Sequence, residues 1–270
     1  MKTFKVADFE VGGPNLTVIA GPCMAESLEM CLQVAEHMKG LSEKLGFNYI
    51  FKASFDKANR TSISAKRGEG IEAGLEILQA IKNKFGLPVT TDIHLPEHAA
   101  IAAKTVDILQ IPAFLCRQTD LLAAAAVTGL PVNVKKGQFL SAPSAKNIVS
   151  KLEQLQANGI MLTERGMTFG YDALIVDFPG LEVMRNFGVP VCFDATHSAQ
   201  RPGNGAETTG GARETIPAMV RAACAVGIDA LFIEVHPNPA AALSDAATQW
   251  PLDKAEDLLA SAIRVREAIQ

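Results

Sequence analysis

Residues of catalytic type recur in this chain at the ends of short apolar runs, often two apart. YIFKASF carries Lys52 and Ser54, and PVTTDIH ends in Asp92 and His94. VDILQIP holds Gln110, PVNVKKG carries Asn133 and Lys135, and IMLTERG includes Arg165. PVCFDATH ends in Asp194 and His197, and ALFIEVH carries Glu234 and His236. A spacing of two places both members of a pair on one face of a strand. Two chemistries separate. Lys52, Lys57, Arg60, Lys135 and Arg165 form a cationic set suited to phosphate and carboxylate groups. Cys23, His197, Glu234 and Asp245 offer sulfur, imidazole and carboxylate, a donor set for zinc, iron or a similar divalent ion. Spacing alone favours reading Cys23 as a small buried hydrophobe, as Cys31, Cys116, Cys192 and Cys224 are in their apolar contexts.

These residues need a scaffold that gathers strand ends. Eight β-rich runs are found: 16–22, 49–55, 88–94, 106–112, 131–137, 160–166, 190–197 and 230–236. Helix-like segments separate them, at 26–46, 69–86, about 97–105, 118–128, 145–158, 179–187 and 211–227, with another closing the chain. Gly46 and Gly86 stand where helix C-caps belong. The alternation predicts a (β/α)8 barrel, one domain over residues 1–270, with its chemistry at the C-terminal ends of the strands. A doubly wound open sheet is the alternative, but no GxGxxG follows the first strand. Closure of a barrel would bring strands 1, 7 and 8 together, and with them Cys23, His197 and Glu234. Residues 1–13 alternate and end in Gly-Gly, which predicts an N-terminal hairpin able to plug the barrel bottom.

Composition narrows the class. The chain of 270 residues is 48% hydrophobic and 20% charged, with a net charge of −4. That balance is of a soluble globular protein and speaks against general binding to nucleic acid or a membrane surface. No apolar run reaches the roughly 18 residues that suggest a membrane span. The start, MKTFKVADFEVGG, lacks the apolar core of a signal peptide. Five scattered cysteines without a CxxC pair predict free thiols and a cytoplasmic location.

The run FKASFDKANRTS (51–62) resembles the 3-deoxy-D-manno-octulosonate 8-phosphate (KDO 8-phosphate) synthases. The resemblance extends through TDIHLPE, LQIPAFLCRQTDL, VNVKKGQF, TERGMTFGYDALIVD, FDATHS and FIEVHPNP, in order and over essentially the whole chain. It implies condensation of phosphoenolpyruvate with D-arabinose 5-phosphate and water, for lipopolysaccharide synthesis. Lys52, Lys57, Lys135 and Arg165 would bind phosphoenolpyruvate, in a pocket lined by Ser54, Gln110 and the Pro112-Ala113 backbone. Asn59, Arg60 and Thr209 would hold arabinose 5-phosphate, although the family has serine where Thr209 stands. Lys52, Asp92, His94, Lys135 and His197 would lie at the reacting centre. The family divides at the position of Cys23: a branch with asparagine needs no metal, and a branch with cysteine binds a divalent ion. By resemblance, then, Cys23, His197, Glu234 and Asp245 are ligands to zinc, iron or manganese. A homotetramer with sites near subunit interfaces is also implied, with phosphorylated small molecules as partners. The nearest rival is 3-deoxy-D-arabino-heptulosonate 7-phosphate synthase, which uses erythrose 4-phosphate and usually reads KPRT where this chain has KANRT. A non-catalytic barrel that binds a phosphate ligand is the reading from another class.

Overall fold

The computed structural model describes residues 2–59, 62–64, 66–168, 173–202 and 210–269. A small antiparallel hairpin, β1 (Phe4–Val6) and β2 (Phe9–Val11), comes first. Eight parallel strands follow: β3 (Thr17–Gly21), β4 (Asn48–Lys52), β5 (Val89–Asp92), β6 (Ile108–Ile111), β7 (Val132–Lys135), β8 (Ile160–Glu164), β11 (Val191–Asp194) and β14 (Ala230–His236). Between and after them lie two-residue strands: β9 (Met167–Thr168) with β10 (Leu174–Ile175), β12 (Gln200–Arg201) with β13 (Gly210–Gly211), and β15 (Trp250–Pro251) beside β14. Each long strand pairs with the next along the chain. β14 pairs with both β3 and β11, which closes the sheet. The fold is the (β/α)8 barrel expected, and every one of the eight apolar runs contributes a strand to it.

Strand parity divides the core. One set of side chains packs outward against the helices, among them Val18, Val132, Val134 and Leu162. The other set, Ile19, Ile50, Ile108, Met161, Cys192, Ala230 and Phe232, fills the barrel interior with Phe4, Val6 and Val11 of the hairpin. The hairpin thus plugs the N-terminal end, as its apolar alternation predicts.

The barrel helices are α1 (Leu28–Leu45), α2 (Ile71–Phe85), α3 (Pro96–Ala102), α4 (Thr119–Ala126), α5 (Lys146–Gln154), α6 (Phe178–Arg185), α8 (Ile216–Val226) and α9 (Ala255–Ile269), with a single turn, α7 (Ala195–Ser198), after β11. On α1, Cys31, Val34, Ala35, Met38 and Leu41 are buried, the spacing of one helical face. Ser27 caps its first turn, and Gly46 ends it at φ 75°, a left-handed conformation that glycine adopts at least cost. Most of the strands are shorter than their apolar runs, β11 by the most. β11 stops at Asp194, whose carboxylate accepts from the His197 N–H and so starts α7. His197 therefore sits on a helical turn rather than on the strand.

At the opposite end of the barrel, Asp229 ties three pieces together. Its carboxylate takes Arg185 Nε at 3.2 Å and Nη2 at 3.1 Å, and the Val191 N–H at 2.9 Å. Asp229→Ala is expected to cost about 2–3 kcal/mol, because the buried Val191 amide loses its side-chain acceptor. At about 2–4 °C per kcal/mol this lowers the melting temperature by roughly 5–10 °C in circular dichroism. Catalysis at 25 °C is expected to stay unchanged, since this end of the barrel is remote from the mouth.

Candidate active site

The strand C-termini open into a cavity of about 620 Å³. Lys52, Ser54, Lys57, Asn59, Asp92, His94, Gln110, Pro112, Ala113, Lys135, Arg165, His197 and Asp245 all line it. Of the residues singled out in the sequence, Cys23 and Glu234 are fully buried next to it. Arg60 and Thr209 lie outside the described residues.

Its cationic side is a linked network. Lys52 Nζ donates to Ser54 Oγ at 2.7 Å and sits 3.6 Å from both Asp92 Oδ1 and Glu234 Oε1. Ser54 in turn donates to Asp92 Oδ1 in a short hydrogen bond. Lys57 Nζ reaches the same hydroxyl at 3.0 Å. Burial, with Lys57 beside it, pushes Lys52 below the ordinary lysine range. Burial also opposes the Lys57 charge, but the surrounding acidic groups outweigh it and raise that lysine. Asp92 is driven well down despite its burial, first by Lys52 and then by His94, whose Nε2 is 2.8 Å from Asp92 Oδ2. Facing them, Lys135 Nζ donates to Asp194 Oδ2 at 2.6 Å and lies 3.7 Å from the centroid of the Phe232 ring. Arg165 Nη2 donates to Gln200 Oε1 at 2.7 Å, and Gln200 Nε2 to Asp245 Oδ1 at 3.0 Å.

Several buried polar atoms of this lining have no hydrogen-bond partner among the described residues: Arg165 Nη1, Gln110 Oε1, Gln138 Oε1 and His94 Nδ1. Buried polar atoms are normally satisfied. A cluster of orphans around one cavity is what a site for a polar ligand leaves.

The second cluster adjoins the first. One donor atom each from Cys23, Glu234 and Asp245 lies within 4.8 Å of the other two. Cys23 Sγ donates to Asp245 Oδ2 at 3.1 Å. His197 Nε2 is 3.6 Å from a carboxylate oxygen of each of Glu234 and Asp245, while its Nδ1 is 2.7 Å from Asp194 Oδ2. The Asp194 carboxylate thus fixes the ring and leaves Nε2 facing the cluster. Burial disfavours the His197 charge, yet Asp194 outweighs it and raises the group. Burial, then Asp245 and Glu234, push the Cys23 thiol far up. Both oxygens of Glu234, wholly buried, lack a hydrogen bond among the described residues. A thiol, an imidazole and two carboxylates suit a divalent cation.

The sequence did not single out some of the supporting residues. Gln249 accepts the Cys23 N–H at 3.1 Å and donates to Ser244 O at 2.8 Å, joining the two loops that carry Cys23 and Asp245. Asp245 itself takes φ 48°, a left-handed conformation uncommon outside glycine. Gln200 and Phe114 also line the cavity. His236, on the same strand as Glu234, turns to Glu26 (Nε2–Oε2 3.8 Å) and the Asn238 N–H. His98 is half-buried and accepts from the His94 N–H at 3.4 Å.

Fold and site together define a (β/α)8 barrel with an anion-receptive mouth and a thiol–carboxylate cluster at its rim. The model of the DAHP synthetase I family matches residues 5–270, and the chain belongs to that family. It is similar to proteins named 2-dehydro-3-deoxyphosphooctonate aldolase from three bacteria. Identity is 53% with that of Cyanothece sp. (strain PCC 7425 / ATCC 29141), over 97% of this chain and 96% of the relative. It is 54% with that of Synechococcus sp. (strain ATCC 27144 / PCC 6301 / SAUG 1402/1), covering 98% and 94%. With that of Dechloromonas aromatica (strain RCB) it is 50%, covering 98% and 97%.

Proposed function

We propose that this protein is a KDO 8-phosphate synthase: it condenses phosphoenolpyruvate with D-arabinose 5-phosphate and water, giving KDO 8-phosphate and inorganic phosphate. The observation that carries the reading is a single cavity lined by Lys52, Lys57, Lys135 and Arg165 in a chain about half identical, end to end, to proteins of that name. Both substrates are phosphorylated, and such a cluster of cations matches their charge. In the reaction, carbon 3 of phosphoenolpyruvate bonds to the aldehyde carbon of the sugar. Water adds at carbon 2, and phosphate leaves with carbon–oxygen cleavage.

The four cations bind the phosphate and carboxylate of phosphoenolpyruvate, with Ser54, Gln110 and the Pro112-Ala113 backbone as walls. Asn59, with Arg60 next to it in sequence, receives the sugar phosphate. The linked Asp92 and His94 hold a proton beside the reacting carbons. Lys135 and Asp194 orient His197.

Cys23, His197, Glu234 and Asp245 would hold a divalent ion, either zinc, iron or manganese. That ion would supply positive charge to orient the sugar aldehyde or to polarise water. Its charge would also invert the electrostatics that now hold the Cys23 thiol protonated. A cytoplasmic homotetramer with sites near its interfaces completes the reading; Phe114 at 57% and Phe139 at 56% exposure offer apolar surface beside the mouth. Among the described residues, no helix is long and apolar enough to cross a membrane.

The test is phosphate release by the purified protein. Release is expected with both substrates together and with neither alone. Preference for erythrose 4-phosphate over arabinose 5-phosphate would hand the protein to the heptulosonate reaction instead. Absence of release with either sugar and any metal would leave a non-catalytic barrel.

A further inference from the structure

Two charged residues of the barrel wall are fully buried, and the catalytic reading gives them no role. Lys136 and Glu164 are each 0% exposed, with Nζ and Oε2 3.3 Å apart. Burying two charges costs several kcal/mol per ion before their attraction is counted, so such a pair is weak evidence for stability. Their neighbours point to another role. Lys136 follows Lys135 at the end of β7, and Glu164 precedes Arg165 at the end of β8. By strand parity they share the outward face with Val134 and Leu162, which pack against the helices. Each therefore stands directly behind a cation of the mouth.

The bonds of the pair run to the two loops that carry the site. Glu164 Oε1 accepts the Arg165 N–H at 3.0 Å and the Gly166 N–H at 2.7 Å. The turn they fix needs its glycine: Gly166 has φ 92°, and a Cβ there would lie 2.9 Å from Leu174 Cβ. Lys136 Nζ donates to Leu140 O at 2.9 Å, across the loop that carries Gln138. The Lys136 N–H donates to Thr163 O at 2.7 Å, joining the two strand ends. Beyond this turn, among the described residues, the Arg165 side chain bonds Gln200, and its Nη1 is buried without a partner.

We propose that Lys136 and Glu164 are a positioning pair: through the Arg165–Gly166 turn and the 137–140 loop they set the aim of Arg165 and Gln138, and thereby the affinity for phosphoenolpyruvate. This rests on phosphoenolpyruvate being the anion that Arg165 meets. A displacement on the order of 1 Å in such a group can cost as much as a hundredfold.

Three proteins separate positioning from mere stability: the wild type, Lys136→Met/Glu164→Met and Lys136→Met/Glu164→Gln. The Met/Met variant removes both charges and the acceptor for the two amides. The Met/Gln variant removes the charges but keeps an oxygen for those amides. The readouts are phosphoenolpyruvate binding by calorimetry, KM for arabinose 5-phosphate and melting temperature. Expected for Met/Met is a melting temperature lowered by several degrees, because the Arg165 and Gly166 amides lose their acceptor even though an apolar pair replaces an ionic one. Its phosphoenolpyruvate Kd should rise about tenfold or more, with the sugar KM within about twofold. The Met/Gln variant should recover most of the lost affinity. If Met/Met fails to fold, Glu164→Met against Glu164→Gln makes the same comparison. Unchanged phosphoenolpyruvate affinity in Met/Met, or equal losses for both substrates, would overturn the inference. A wild type that binds phosphoenolpyruvate yet releases no phosphate would instead overturn the proposed reaction, while the binding comparison still judges the pair.

Discussion

Lys135→Met is expected to lower kcat/KM for phosphate release by about 10²–10³-fold, the size of effect seen when one preorganised electrostatic contact is removed from a reaction centre. The site explains why the loss should be large and the fold should survive. Lys135 ends β7, with its ammonium 2.6 Å from Asp194 Oδ2, 3.4 Å from His197 Nδ1 and 3.7 Å from the Phe232 ring centroid. It is a buried charge held in place before any substrate arrives, so it need not reorganise when phosphate leaves. Methionine keeps the length and apolar character of the stem but removes the charge. Asp194 would keep its bonds from the His197 N–H (2.9 Å) and ring (2.7 Å), so no carboxylate is stranded. The check is a phosphate-release assay beside a thermal melt. A melting temperature within a few degrees of the wild type with collapsed kcat/KM supports the role; activity within about tenfold of the wild type removes Lys135 from the centre. Lys135→Arg should rescue poorly, because the planar fork does not fit a socket built for a compact ammonium between Asp194 and Phe232.

Much of this arrangement was legible in the chain because the strand period is two and the barrel uses it strictly. Pairs such as Lys52/Ser54 and Asp92/His94 meet in the cavity since both members share a face. Gly46 and Gly86 marked helix ends because a left-handed residue is needed there. The hairpin was legible from Phe4, Val6 and Val11, whose alternation suits a plug.

What escaped did so for identifiable reasons. Gln249 and Gln200 are neutral amides, and an amide has no characteristic spacing; only folding shows that Gln249 staples Cys23 to the loop of Asp245. The place of His197 shifted because Asp194 caps a turn and ends β11 early, a competition between side chain and strand that apolar runs do not reveal. Asp245 stands outside every strand; it entered the donor set only as a carboxylate just beyond Glu234, and the family resemblance supports it. Lys136 and Glu164 fall on the outward face, where charge ordinarily means solvent. In a barrel that face is roofed by helices, so the same parity yields a buried ion pair. That inversion makes the pair informative: a charge kept where an apolar residue would pack easily calls for a local explanation, and the Arg165 turn supplies one.

Chelator treatment should produce the other large effect, a loss of phosphate release of about a hundredfold or more, from the several kcal/mol that a metal ion contributes to orientation and charge stabilisation. Single additions of zinc, ferrous iron or manganese should restore it. Activity alone would not show where the ion binds; thermal stability supplies an independent readout. A ligand present at a thousand times its Kd stabilises the folded state by about 4 kcal/mol. At about 2–4 °C per kcal/mol, stripping should therefore lower the melting temperature by roughly 10 °C, and metal should restore it. In Cys23→Ser both the metal content per chain and this thermal response should fall. The donor set gives the reason: among the described residues, Glu234 has two buried oxygens without hydrogen bonds, and Cys23 is a buried thiol packed against Asp245. Both are costly unless a cation shares them. Cys23→Asn then separates the roles of the ion. If that variant works fully without metal, the ion orients substrate in a way that an amide can replace. If it is inactive yet binds both substrates, the ion takes part in the chemistry itself. Full activity and an unchanged melt after verified removal of metal would reduce Cys23 to a packed thiol and leave Glu234 as a counter-charge for Lys52 and Lys57, which lie 3.6 and 3.9 Å from it.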